Sequence, residues 1–177
     1  MMMKDNVSQL AKRATNGDTT AFGELYSLFA AEMYRYALYS LGSREAAQDA
    51  VQETALEAFK SIVKLKNEDV AKAWFFGILY NVCKRFQREK YRTDSTPLEF
   101  CEELSSADTS DDILTSLEII RLINTLGEQE REIVLLSAVC GYSGKEITVI
   151  TGIPHGTVRS KLSRALAKLR EEMEGRK

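Results

Sequence analysis

Arg159, Ser160, Ser163 and Arg164 sit close together in GTVRSKLSRALAKL, a stretch with helical spacing and no acidic residue. At a rotation of about 100° per residue, Gly156, Ser160, Ser163, Arg164 and Ala167 fall opposite Val158, Leu162, Ala165, Leu166 and Leu169. Arginine can pair in a bidentate way with guanine, serine can reach bases or phosphates, and small residues let a helix approach a groove closely. Arg159 and Lys161 flank this polar side. Two readings are open on these residues alone: a helix that reads DNA, or a solvated basic helix.

The elements needed to hold such a helix are present. Ile147 and Ile150 mark a shorter helix before it, Gly152 is placed to end that helix, and Pro154 to start the next. Together they outline a helix-turn-helix, which presents its second helix to the major groove.

Two other polar constellations lie upstream. In a helix from Arg44 to about Val63, the spacing puts Val51, Ala55, Ala58, Phe59 and Ile62 on one face. Asp49, Gln52, Glu53, Leu56 and Lys60 share the other, where a leucine ringed by charges suits a partner-binding patch, or is an ordinary exposed leucine. In AKAWFFGILYNVCKRFQREKYR, a core stripe of Phe75, Ile78, Leu79, Val82 and Phe86 lies opposite Trp74, Asn81, Lys84, Arg85 and Arg88. A ring, an amide and cations on one face suit nucleic acid; taken alone, the helix fits a core-edge tryptophan beside a solvated basic face slightly better.

Other chemistry finds no pattern. Cys83, Cys101 and Cys140 are widely spaced with no CxxC pair, and His155 is the only histidine, so neither a disulfide framework nor a metal site is expected. There is no GxSxG and no phosphate loop; the expectation is no catalytic residue, no cofactor and no enzyme. No apolar run approaches the roughly 20 residues of a membrane span and the start MMMKDNVSQLAKR is no secretory signal, which predicts a cytoplasmic protein with no membrane insertion.

The net charge of −2 over 177 residues conceals sharp segmentation. Residues 61–92 carry eight bases against three acids, 93–113 seven acids and no base, and 154–177 seven bases against three acids. Helical spacing throughout, with 44% hydrophobic residues and only two prolines, predicts an all-α chain of two small helical domains. The predicted boundaries are 1–92, a flexible acidic linker over 93–112, and 113–177 with the helix-turn-helix. Asn6–Thr15 and Thr20–Leu41 are read as the first two helices, with Gly42 ending the second and Ser43 capping the third.

Taken in order, these segments resemble the sigma factors of bacterial RNA polymerase, specifically the short extracytoplasmic-function (ECF) type. DAVQETALEAF is similar to the family's polymerase-binding helix, AWFFGILYNVCKRFQREKYR to its promoter-melting helix, and LGEQEREIVLLSAVCGYSGKEITVITGIPHGTVRSKLSRALAKLRE to its promoter-binding domain. The resemblance implies region 2 over 1–92 and region 4 over 113–177. It implies that Asp49, Gln52, Glu53 and Leu56 bind the clamp helices of the polymerase's largest subunit, with the flap as a further contact. Lys64, Lys66, Trp74, Asn81, Lys84, Arg85 and Arg88 would hold the single-stranded −10 element with a base flipped into a loop pocket. His155, Thr157, Arg159, Ser160, Lys161, Ser163 and Arg164 would read the −35 duplex. An anti-sigma factor that masks both domains is implied as a partner beside promoter DNA. Ser143-Gly144-Lys145-Glu146 departs from the tyrosine and acid pair usual there, and His155 from a small residue. A stand-alone helix-turn-helix regulator is the competing reading; it would bind duplex DNA alone and leave the Asp49–Leu56 patch without a role.

Overall fold

The computed structural model describes residues 2–93 and 121–175, with side chains from Asn6 to Glu89 and again from Arg121. Every regular element among them is helical. The acidic linker expected over 93–112, and Cys101 within it, lie outside the described residues apart from Thr93.

Local signals set the ends of the first helices. Helix α1 (Met2–Thr15) stops at a turn through Asn16 and Gly17, and α2 (Thr19–Leu41) starts where Asp18 accepts a hydrogen bond from the Ala21 amide. Gly42 closes α2 in the left-handed conformation at φ 72°, which L side chains adopt only at a cost. Ser43 then caps α3 (Arg44–Ser61) by accepting from the Ala46 amide. Two 3-10 turns, Ile62–Lys64 and Glu68–Val70, lead into α4 (Ala71–Thr93).

Helices α1 to α4 pack around aromatic rings. Phe75 of α4 is fully buried, with its centroid 5.9 Å from Phe22, 5.6 Å from Phe29 and 5.3 Å from Trp74. Two expectations need correction here. Phe59 is half exposed, touching the core only edge-on at Phe22, while Ala47, Ala50 and Thr54 supply the buried side of α3. Ile62 is buried but stands in the 3-10 turn beyond α3.

After a helical turn at residues 121–124, the C-terminal half runs through α5 (Glu128–Val134), a π-helical turn (Leu135–Val139), α6 (Gly144–Thr151) and α7 (His155–Glu174). Gly152, at φ 74°, ends α6, and Pro154 stands immediately before α7. Val158 and Ala165 are buried against α5 and α6, and Leu162 and Leu169 are partly so, but Leu166 is 44% exposed, contrary to its place in the predicted stripe. Leu166 stands at the edge of the stripe, since the helix on either side of it is still packed: Ala165 is buried, Leu169 lies against the core and Lys168 reaches the Thr125 carbonyl.

The halves pack on each other through α2 and α4 on one side and the π turn and α6 on the other. Phe76 of α4 meets Tyr142 edge-on at 5.1 Å. Lys72 Nζ lies 5.2 Å from the Tyr142 ring centroid while pairing with Glu32 at 2.9 Å.

Candidate nucleic-acid interface

The three groups of polar residues differ in how closely the structure gathers them. His155, Thr157, Arg159, Ser160, Lys161, Ser163 and Arg164 all lie in the first three turns of α7, with His155, Arg159, Ser160, Ser163 and Arg164 exposed. The backbone fixes part of this face. Ser160 donates to the Thr157 carbonyl at 3.1 Å, and Arg164 Nε to the Ser160 carbonyl at 3.4 Å. Arg159 makes no ion pair among the described residues, so a cation stands exposed near the helix start.

The support under α7 contains a pairing that the sequence hides. A Cβ built on Gly144 would stand 3.0 Å from His155 Nε2 and 3.2 Å from its Cδ2, closer than ordinary contact. Gly144 therefore makes room for His155, so the two departures from the family pattern meet in space. The glycine's cost to α6 is offset by a capping box, in which Ser143 accepts from the Glu146 amide and Glu146 accepts from the Ser143 amide at 2.8 Å. Ser-x-x-Glu was visible in the sequence as that signal.

The −10 group is less uniform. Lys64 and Lys66 are exposed on the segment between α3 and α4, and Asn81 and Arg88 are exposed on α4. Trp74 is half-buried and leans edge-on against Phe75, which makes its ring partly a core-edge group. Lys84 is half-buried and ion-paired with Glu128 of α5. Arg85 reaches Glu53 at 2.6 Å and Glu57 at 3.2 Å; the hydrogen bond to Glu53 is the main reason its guanidinium is held yet more firmly protonated.

Glu53 thereby ties this face to the third group. Asp49, Gln52 and Leu56 are exposed on α3, Leu56 by 61%. The structure adds Phe59 and Val63, 50% and 65% exposed, which continue the apolar strip. Sequence spacing alone puts Phe59 on the opposite face, with Val51 and Ala58.

No group of three His, Cys, Asp or Glu side chains suited to a metal occurs among the described residues. Burial pushes the Cys83 thiol well above its ordinary value and that of Cys140 to about 12, so both stay protonated at neutral pH. No described helix is long and apolar enough to cross a membrane.

This fold and these surfaces define a bipartite helical factor of the sigma-70 class. Residues 25–93 match Sigma-70 region 2, and residues 116–169 match Sigma-70, region 4. The chain belongs to the ECF RNA polymerase sigma factors. It is 32% identical to SigL of Mycobacterium tuberculosis over 82% of this chain and 85% of that one. With BldN of Streptomyces coelicolor it shares 29% identity over 91% of this chain, an alignment spanning 63% of BldN's length. In fold it is similar to CnrH, solved with the cytosolic domain of CnrY, at a TM-score of 0.77, 22% identity and coverage of 96% and 98%. It is also similar to RpoE of Bartonella quintana, solved with the anti-sigma factor NepR, at a TM-score of 0.70, 24% identity and coverage of 86% and 96%. The region 2 match sets aside the stand-alone regulator.

Replacing Gly144 with alanine should move His155. Its imidazole resonances, the only ones in the chain, should shift in the NMR spectrum, while stability changes by no more than about 1 kcal/mol because added helix propensity opposes the displacement. An unmoved His155 spectrum would show that the two residues do not touch.

Proposed function

We infer that this chain directs core RNA polymerase to specific promoters and initiates transcription there, in the cytoplasm and by binding rather than catalysis. The observation that carries the reading is the coexistence, in one chain, of an exposed apolar-acidic strip on α3, a basic stripe on α4 and an exposed basic face on a helix-turn-helix. A regulator that bound duplex DNA alone would leave the α3 strip without a role.

In this reading residues 1–92 form region 2 and residues 113–177 region 4, joined by the acidic segment over 93–112. Asp49, Gln52, Glu53 and Leu56, extended by Phe59 and Val63, dock on the clamp helices of the polymerase. An exposed leucine inside a ring of polar groups gives such a contact an apolar centre and a polar rim. Leu166 and Met173, 44% and 59% exposed at the far end of α7, offer a second apolar surface for the flap.

DNA then meets two faces. Arg159, Ser160, Ser163 and Arg164 read bases of the −35 duplex, while His155, Thr157 and Lys161 position the helix on the backbone. Lys64, Lys66, Trp74, Asn81, Lys84, Arg85 and Arg88 hold the opened −10 strand. Opening costs a few kcal/mol per unstacked step, which a trapped base and neutralised phosphates offset.

An anti-sigma partner completes the reading. Leu28, Val70 and Val149, 46%, 40% and 69% exposed, rim an apolar groove between the halves that Val7, Phe29 and Tyr142 floor, a suitable seat for a repressing helix.

Three outcomes test this function. Gln52→Ala combined with Leu56→Ala should weaken binding to core polymerase at least tenfold, about 1.4 kcal/mol, in a fluorescence titration; unchanged affinity refutes the polymerase assignment. Arg159→Ala or Arg164→Ala should lose about 1–3 kcal/mol of discrimination at one −35 position in a promoter-library selection. A loss spread evenly over all sequences would instead assign that arginine to phosphate. Finally, a protein captured from the native cell by the full chain should repress transcription by the purified holoenzyme, and Leu28→Glu with Val149→Glu should abolish both capture and repression. If no captured protein represses, the anti-sigma assignment fails.

A further inference from the structure

Glu132 is a carboxylate on α5 that is 1% exposed, yet its side-chain hydrogen-bond partners among the described residues all belong to the other half of the molecule. The Tyr36 hydroxyl donates to Oε2, while the Ser40 hydroxyl and the Gln87 amide donate to Oε1 at 2.9 and 3.1 Å. All three donors are neutral, and no ion pair to Glu132 occurs among the described residues. Gln87 also donates to the Ser40 carbonyl and hydroxyl at 3.1 and 3.0 Å, so the donors on α2 and α4 hold one another in place.

A buried carboxylate met only by neutral donors is poorly suited to permanent closure. Water would solvate it fully, whereas here desolvation is offset by hydrogen bonds alone. The surrounding interface is equally incomplete. Glu32 Oε1, Gln87 Oε1 and the Tyr142 hydroxyl are buried there without a partner among the described residues. Apolar contacts such as Phe76 against Tyr142 supply the attraction, and the Glu132 cluster sets which faces meet.

Closure also occupies one cation of the −10 group. Lys84 of α4 is paired with Glu128 of α5, while Lys72, outside that group, lies against Tyr142 across the same interface. We propose that Glu132 is an intramolecular latch, gripped by Tyr36, Ser40 and Gln87, that holds the helix-turn-helix domain on α4 in a closed form and must release before the promoter is engaged. The link to the promoter rests on the −10 reading of α4; the latch itself does not.

Native cysteines report on it. Cys83, 1% exposed, lies near Ser40 and Glu132, and Cys140, 9% exposed, lies near Glu32 and Lys72 across the same interface. Maleimide labelling of the full chain, followed by peptide mass spectrometry, should be at least tenfold faster at both cysteines in Glu132→Ala and in Tyr36→Phe/Ser40→Ala. The milder Gln87→Leu should give a smaller increase, and circular dichroism identifies which variants keep wild-type helicity. The open variants should also bind a single-stranded −10 oligonucleotide at least threefold more tightly. Unchanged labelling in the variants that keep their helicity overturns the latch, whatever the DNA result. Faster labelling with unchanged DNA affinity supports the latch and overturns the −10 assignment of α4 instead.

Discussion

Helix α4 is buried along two adjacent faces, and the rest of the molecule is arranged around that constraint. Phe75, Leu79 and Val82 enter the N-terminal core, while Phe76, Tyr80 and Cys83, each one residue further on, turn about 100° away. The second set closes against the C-terminal half, as the contact of Phe76 with Tyr142 shows. Only a narrow polar stripe is left, containing Asn81, Lys84, Arg85 and Arg88. Its edges lie against neighbours, so Arg85 reaches across to α3 and Lys84 across to α5. The candidate DNA surface is thus electrically coupled to both the strip proposed to bind polymerase and the other domain.

What could be read in the sequence follows from how far each interaction reaches. Asp18, Gly42, Ser43 and Gly152 act on backbone within four residues, so helix ends obey local rules and the helix-turn-helix was legible from Ile147 to Leu169. The polar face of α7 was legible for the same reason, since periodicity alone orients a helix whose other side is apolar. Glu132 was not. In EQEREIV an acid reads as solvated, and its burial depends on donors more than 40 positions away in the chain. Phe76, Tyr80 and Cys83 are not legible from a single apolar stripe, because this helix carries two. Phe59 failed in the opposite sense: it has the right period for the core, but only the edge of Phe22 covers it.

The charges on the candidate surface obey one economy. Arg85 pairs with Glu53 and Glu57, and Lys72 with Glu32. Lys84 is matched by Glu128 in the same way. Two of the cations facing the proposed −10 strand, Lys84 and Arg85, therefore already have carboxylates of their own chain beside them. Except at Lys84, the paired side chains are between 22% and 43% exposed, where ion pairs contribute little net stability and are weakened by salt. A phosphate can replace such a carboxylate at small cost, whereas a fully buried pair would resist the exchange. Keeping the pairs near solvent lets one set of cations order the protein without DNA and remain available to it. The freed carboxylate draws cations back as the phosphates shed theirs, so DNA affinity should depend on salt less steeply than the number of bases alone implies.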